Sequence, residues 1–398
     1  MTKRWINICL ISFFWLFSTL FYVAFNNVNS STGTVRLVMT VNLLMIFALN
    51  GKYLLEISRS FLKQYTLVYL LVIFLSFCSS LILGRVHPSY INSFLLNAFF
   101  PFLFFLIANK SSGMFHEFVI KILIISTILN GIIAISTSPV FNWYIPVISD
   151  IGFVYAHQGG SSSRLVSLIG NATTLGYFAL VSLSFVLFGH WARYRYLTSS
   201  FLIIIVLFTR QRGVYAGLLI LMAIYTYSLI KSKRISLKQL VLTTVFMSSV
   251  LYALKNLINT ELSQQLVRST LSRSSLGEAM GDRSSQQVLL ITNDNIFTQL
   301  FGRGYGSHSA LNKGSEFMQP DAPYWMLTNE TGYLGFLLFI GFLLSVVFVG
   351  LKTKSKIILF LGLHIIIGLL GSRYLWYFPV NYLFFYVLGY GSNLVENN

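Results

Sequence analysis

Thr331-Gly-Tyr-Leu-Gly-Phe-Leu-Leu-Phe-Ile-Gly-Phe-Leu-Leu-Ser-Val-Val-Phe-Val-Gly350 is an unbroken stretch without a charged residue. As an α-helix it extends about 30 Å, the thickness of a bilayer's hydrocarbon core. A helix bonds its own backbone where water cannot, so such a run predicts a membrane span. Comparable runs recur at 6–25, 35–50, 65–83, 91–108, 118–136, 165–189, 197–209, 214–230, 239–255, 357–371 and 374–390. The expected fold is therefore an all-α polytopic integral membrane protein with about 12 transmembrane helices. Hydrophobic residues make up 55% of the 398 positions and charged residues 10%, which agrees with bilayer rather than water as solvent. The basic start, Lys3-Arg4, ahead of an apolar run without a small-residue cleavage site reads as a retained first helix.

The basic residues divide by type when the N-terminus is placed inside. Lysines dominate the inner connections (Lys52, Lys63, Lys110, Lys121, Lys231, Lys233, Lys238, Lys352, Lys354 and Lys356), as the positive-inside rule expects. Arginines dominate the outer ones: Arg36, Arg85, Arg164, Arg210, Arg212, Arg268, Arg273, Arg283, Arg303 and Arg373. A lysine orients a protein as a point charge, whereas the arginine fork matches phosphate or carboxylate in two places at once. The outer arginines therefore predict an anionic ligand on that side. The net charge of +17 is split by the membrane and lacks an aromatic-basic recognition motif, so no nucleic-acid partner is expected.

Three segments divide the chain: helices one to nine over 1–255, a long outer loop over 256–330, and helices ten to twelve over 331–398. A loop of that length is too long for an idle connection. Leu257, Ile258, Leu262, Leu266 and Leu271 approximate one helical face, and Val288, Leu289, Ile296, Phe297 and Leu300 another after Asp282. They predict short amphipathic helices over the membrane face. Gly302-Arg-Gly-Tyr-Gly306 lacks the strand-to-helix setting of a nucleotide loop and reads as a turn that brings backbone close to a ligand or helix, with Arg303 projecting from it. Arg210 and Arg212 follow a short apolar run of about 18 Å, which places them below the outer surface, where charges usually face a cavity. Asn42, Asn97, Asn130 and Asn171 read as interhelical hydrogen-bonding residues, and His364 as equally a packed or a functional histidine. The sequence has neither a His-Glu-x-x-His pattern nor paired cysteines, so metal-independent chemistry without a cofactor is expected.

A set of landmarks in order resembles the bacterial O-antigen polymerase and ligase superfamily. They are Arg164 with Ser167-Leu-Ile-Gly-Asn171 and Leu175-Gly176; Thr209-Arg-Gln-Arg-Gly213; Asp282-Arg283; Phe301-Gly-Arg-Gly-Tyr-Gly306; and Asp321-Ala-Pro-Tyr-Trp-Met-Leu-Thr-Asn-Glu-Thr-Gly-Tyr-Leu-Gly335. The resemblance covers about half the chain. It implies a glycosyltransferase C-like membrane enzyme of the bacterial inner membrane, with a periplasmic active site and an undecaprenyl-diphosphate-linked oligosaccharide as substrate. A chain-length-regulating membrane protein is an expected partner. Ligases carry His-Asn where this chain has Asp321-Ala322, which favours a surface-polysaccharide polymerase over an O-antigen ligase. A lipid-linked oligosaccharide flippase is the rival from another class, and it would need polar residues along a path through the membrane.

The candidate diphosphate ligands are Arg210, Arg212 and Arg283, with Arg164 and Arg303 as helpers. Asp321 is the first candidate for the base that takes the acceptor's proton, and His308 and Glu330 are its rivals. A plain turn at Pro320 and Pro323 would instead use Asp321 for local backbone bonds, and Glu330 would cap the following helix.

Overall fold

The computed structural model describes residues 3–20, 33–55, 61–82, 94–136, 167–169, 172–189, 194–209, 211–232, 296–305, 323–369, 375 and 378–396. Every described element is helical, and no strand occurs among these residues. The order is α1 (Lys3–Leu20), α2 (Gly33–Asn50), a short α3 (Lys52–Leu55) and α4 (Phe61–Ile82). A π-helical turn (Leu95–Phe99) leads into α5 (Phe100–Lys110), followed by α6 (Gly113–Ser136), α7 (Ala172–Leu187), α8 (Arg195–Phe208) and α9 (Arg212–Ser232). Then come α10 (Ile296–Phe301), α11 (Pro323–Lys352), α12 (Lys356–Gly368) and α13 (Val380–Glu396). Each apolar run predicted to span overlaps a helix at least in part, except 239–255, which lies outside the described residues.

Among the described residues, three helices are long and apolar enough to cross a membrane: Gly113–Ser136, Gly213–Lys231 and Met326–Lys352. The other apolar helices are shorter, in the range of 10–17 residues. What separates the faces of these helices is packing, not polarity. In α4, Thr66, Tyr69, Val72, Ile73 and Ser76 are buried at helical spacing, while Leu67, Val68, Leu71, Phe74 and Leu75 are exposed on the opposite face. In α11, Phe339, Phe342, Leu343 and Val346 are buried, and Leu337, Leu344, Phe348 and Leu351 are exposed. Apolar stripes of this extent on the outside are foreign to a soluble domain and suit a lipid surround.

The core is built around α5, whose residues Phe100 to Asn109 are all buried. Helix α13 lies along it, and Gly389 makes the approach close: a Cβ there would overlap the Phe105 carbonyl. Phe14 and Trp15 of α1 pack on Phe104 at ring distances of 4.6 and 5.7 Å, and Tyr382 of α13 closes the group at 4.9 Å from Phe14. Close backbone approach at small residues is how helices associate where lipid is as apolar as the side chains.

Amides and hydroxyls tie the helices together. Asn7 and Asn50 exchange side-chain hydrogen bonds of 2.8 and 2.9 Å between α1 and α2. Asn42 donates to the Leu10 carbonyl at 3.3 Å, and Ser167 donates to Asn130 at 2.7 Å. Asn381 of α13 reaches Asn97 at 3.4 Å. Asn42 and Asn97 thus serve as interhelical ties, each of a kind worth about 0.6 kcal/mol on average, whereas Asn130 ties α6 to the turn that precedes α7. Asn171 lies outside the described residues.

Candidate functional site

Helix α11 is broken near its start. Gly332 adopts φ 70° and ψ −178°, a region essentially closed to residues with a side chain. On the N-terminal side of the break, backbone carbonyls of α11 accept hydrogen bonds from other parts of the chain. The Arg303 N–H donates to the Asn329 carbonyl at 2.9 Å, and the Gly304 N–H to the Glu330 carbonyl at 3.2 Å. The Ser76 hydroxyl, from α4, also donates to the Glu330 carbonyl. A broken helix is tolerated inside a bundle when neighbouring protein binds the diverted backbone in this way.

The partner in this junction is the turn that ends α10. The Gly302 N–H closes α10 by donating to the Thr298 carbonyl at 2.7 Å, and Gly302 itself has φ 81°. A Cβ on Gly302 would stand 2.5 Å from the Thr331 nitrogen, and one on Gly332 would stand 2.6 Å from the Gly302 nitrogen. Each glycine is thus required twice, by its own backbone angle and by the backbone of the other. The turn read from the sequence does approach a helix, and that helix is α11.

Burial at the junction is nearly complete. Arg303 is 8% exposed, Asn329 3% and Glu330 1%, so Arg303 lies within the protein and does not project into outer solvent. Thr298, Thr328 and Thr331 are buried beside them. A charged side chain at the centre of a membrane span costs about 2.5–3.5 kcal/mol on insertion scales, so such residues mark functional positions by default. Among the described residues, neither polar atom of the Asn329 side-chain amide has a hydrogen-bond partner. Leaving a buried polar group so costs about 1–3 kcal/mol, which calls for a functional or ligand-related explanation.

Beneath the junction, between α4, α11 and α13, is a cavity of about 20 Å³ lined by Tyr69, Asn97, Tyr305, Phe339, Phe342 and Phe385, among others. That volume suits a single water. Burial pushes the Tyr305 phenol well above its ordinary pKa, and the neighbouring Tyr69 and Glu330 push in the same direction. Tyr305 is therefore a neutral hydroxyl at physiological pH, beside a buried acid.

Of the residues singled out in the sequence, Arg303 and Glu330 both stand at this junction, Arg303 bonded through its backbone to Asn329 and Glu330 through its carbonyl to Gly304. Arg212 is the first residue of α9, and its side chain is outside the described set. Arg164, Arg210, Arg283, His308 and Asp321 lie outside the described residues. The neighbourhood of Arg212 is partly defined. A Cβ on Gly213 would be 3.0 Å from the Tyr177 hydroxyl, and Gly217 leaves room for His364. His364 packs between Tyr177 and Phe360, with ring centroids 4.9 and 5.4 Å away. Ser76, Tyr69, Tyr305 and Asn329 were not singled out as site residues. The local sign of Ser76 in the sequence is a hydroxyl amid apolar neighbours, and Asn329 is marked only by its place in the Asp321–Gly335 landmark.

No protein-family model matches this chain, and no curated protein matches it with significance. The fold and the junction together define an all-helical protein with helices suited to span a membrane and a buried polar site at the break of one of them.

Proposed function

We propose that this chain is a membrane glycosyltransferase that polymerises a bacterial surface polysaccharide, O-antigen or similar. It transfers the growing glycan from undecaprenyl diphosphate to a hydroxyl on the non-reducing sugar of an incoming lipid-linked repeat unit. The single observation that carries the reading is the junction of Phe301–Tyr305 with Asn329–Gly332. Two landmarks of the family resemblance, separate in the chain, share one buried polar site within a helical bundle.

In the reaction the acceptor oxygen bonds to the donor's anomeric carbon as the bond from that carbon to the diphosphate oxygen breaks. The bonding pair leaves with the diphosphate, and the acceptor's proton passes to a base. Stabilising the charge that builds on the departing diphosphate is the main demand. Arg210, Arg212 and Arg283 meet it with bidentate donors, and Arg164 and Arg303 assist. Asp321 takes the acceptor's proton, with His308 and Glu330 as the rival bases. The active site faces the periplasm, where nucleotide sugars are lacking and a lipid-linked donor is needed.

Deletion of the gene followed by electrophoresis of the cell's glycans tests the reading. A single repeat unit on the lipid anchor in place of long chains is the expected result. Polymer stranded on its carrier would mean ligation instead, and an unchanged glycan profile would remove the proposal.

A further inference from the structure

At the lysine-rich end of the bundle, cationic side chains from α8 and α12 meet at the C-terminal end of α7, at Leu187 and Phe188. Arg195, in the first turn of α8, reaches back to α7 and donates through Nη2 to the Leu187 carbonyl. Lys356, which opens α12, holds its ammonium 5.6 Å from the centre of the Phe188 ring and donates to the Ser228 hydroxyl of α9. The Phe188 and Tyr225 rings stand 6.3 Å apart, and the Arg195 charge acts on the Tyr225 hydroxyl. Tyr225, Ser228 and Lys231 follow one another at three-residue spacing on α9, so Lys231 extends the same face by a turn. The α11–α12 turn adds Lys352 and Lys354, both exposed.

Two features show that this is more than a topology signal. Among the described residues the buried Arg195 Nε–H has no acceptor, although the same guanidinium is held in place through Nη2. The two acidic side chains that are described lie elsewhere: Glu117 pairs with Lys121 at 2.6 Å, and Glu330 is buried in the α11 junction. The cluster therefore has fixed donors and lacks a described carboxylate to neutralise them. Its rim identifies the source of the anion. Tyr194, Leu197, Tyr227 and Ile230 are all exposed around it, a tyrosine and aliphatic border that suits the boundary between headgroups and acyl chains.

We propose that Arg195, Lys356 and Lys231 form a binding site for the phosphate of an anionic phospholipid headgroup. The half-buried Arg195 guanidinium and the Lys356 ammonium contact the phosphate oxygens, and the exposed apolar rim lies against the acyl chains. Basic pockets between spanning helices take anionic headgroups in this manner. The site is independent of the glycosyl-transfer reading.

Native mass spectrometry of the purified full chain in detergent, titrated with phosphatidylglycerol or phosphatidylcholine, tests the site. Retention of phosphatidylglycerol over phosphatidylcholine is expected, and Lys356→Gln and Arg195→Gln should each weaken it by about fivefold. Lys52, an exposed lysine that lies over Tyr53 instead, provides the control, and Lys52→Gln should leave retention unchanged. Because Lys356 is exposed, its variant carries the test even where Arg195→Gln fails to fold. Equal retention of the two lipids would overturn the proposal. So would equal losses from Lys52→Gln and Lys356→Gln, which mean diffuse attraction, or displacement of the lipid by millimolar inorganic phosphate, which means a site for a soluble anion.

Discussion

Replacing Gly332 by alanine puts the junction to a direct test. The native backbone at this position, φ 70° and ψ −178°, is one that an alanine reaches only with strain of about 1–3 kcal/mol. The added methyl would also lie 2.6 Å from the Gly302 nitrogen and overlap the Leu300 carbonyl. These are backbone atoms that cannot swing aside, so overpacking adds about 1–3 kcal/mol. The expected loss is about 2–6 kcal/mol, a large part of a typical stability of about 5–15 kcal/mol. Gly113→Ala is the internal control, since a Cβ there meets nothing within 4 Å. Thermal unfolding of the two purified variants in one detergent gives the comparison. Gly302→Ala should resemble Gly332→Ala, and the double variant should lose less than the sum, because the two residues brace one contact. If Gly332→Ala unfolds no earlier than Gly113→Ala, the interlocking of α10 and α11 is wrong.

Further expectations concern packing, topology and charge. Gly389→Ala should cost about 1–3 kcal/mol, since its methyl would meet the Phe105 carbonyl, whereas Gly131→Ala meets the movable tip of Ile205 and should stay near neutral in the same unfolding assay. A single cysteine at Ser307, with Cys9 and Cys78 replaced, should be labelled by an impermeant thiol reagent in intact spheroplasts; protection of that cysteine would reverse the assigned orientation. Arg210→Lys, Arg212→Lys and Arg283→Lys keep charge but lose the fork, so at least one should shorten or abolish the polymer. Full polymer from all three alanine variants at normal protein levels would remove the arginines from the site.

The helical class was legible because length and hydropathy are local properties: any apolar run of this kind must bond its backbone internally, wherever it packs. Which face of α4 or α11 is buried was not legible. Both faces are apolar, so Tyr69 and Leu71 differ only in what lies next to them. The Gly302 turn could be read as a close approach, because its glycines imply unusual backbone angles. Its partner could not, since Gly332 sits in a run that otherwise reads as a continuous helix, and only three-dimensional packing shows the break. The same holds for Arg303. Sequence proximity to a polar loop suggested an exposed arginine, but a hydrogen bond from its backbone to Asn329 holds it in the bundle. The lysines read as orienting charges also include Lys356, whose place over Phe188 depends on three helices meeting.

The central claim is polymerisation, and reconstitution tests it most directly. The purified chain is placed in proteoliposomes with an undecaprenyl-diphosphate-linked repeat unit, and the products are resolved by size. The account predicts a ladder of lengthening glycans on the lipid carrier, with the ladder lost in Asp321→Asn, which keeps the shape of the side chain but removes its basicity. Movement of the lipid-linked unit across the bilayer without any new glycosidic linkage would contradict the account and identify a flippase.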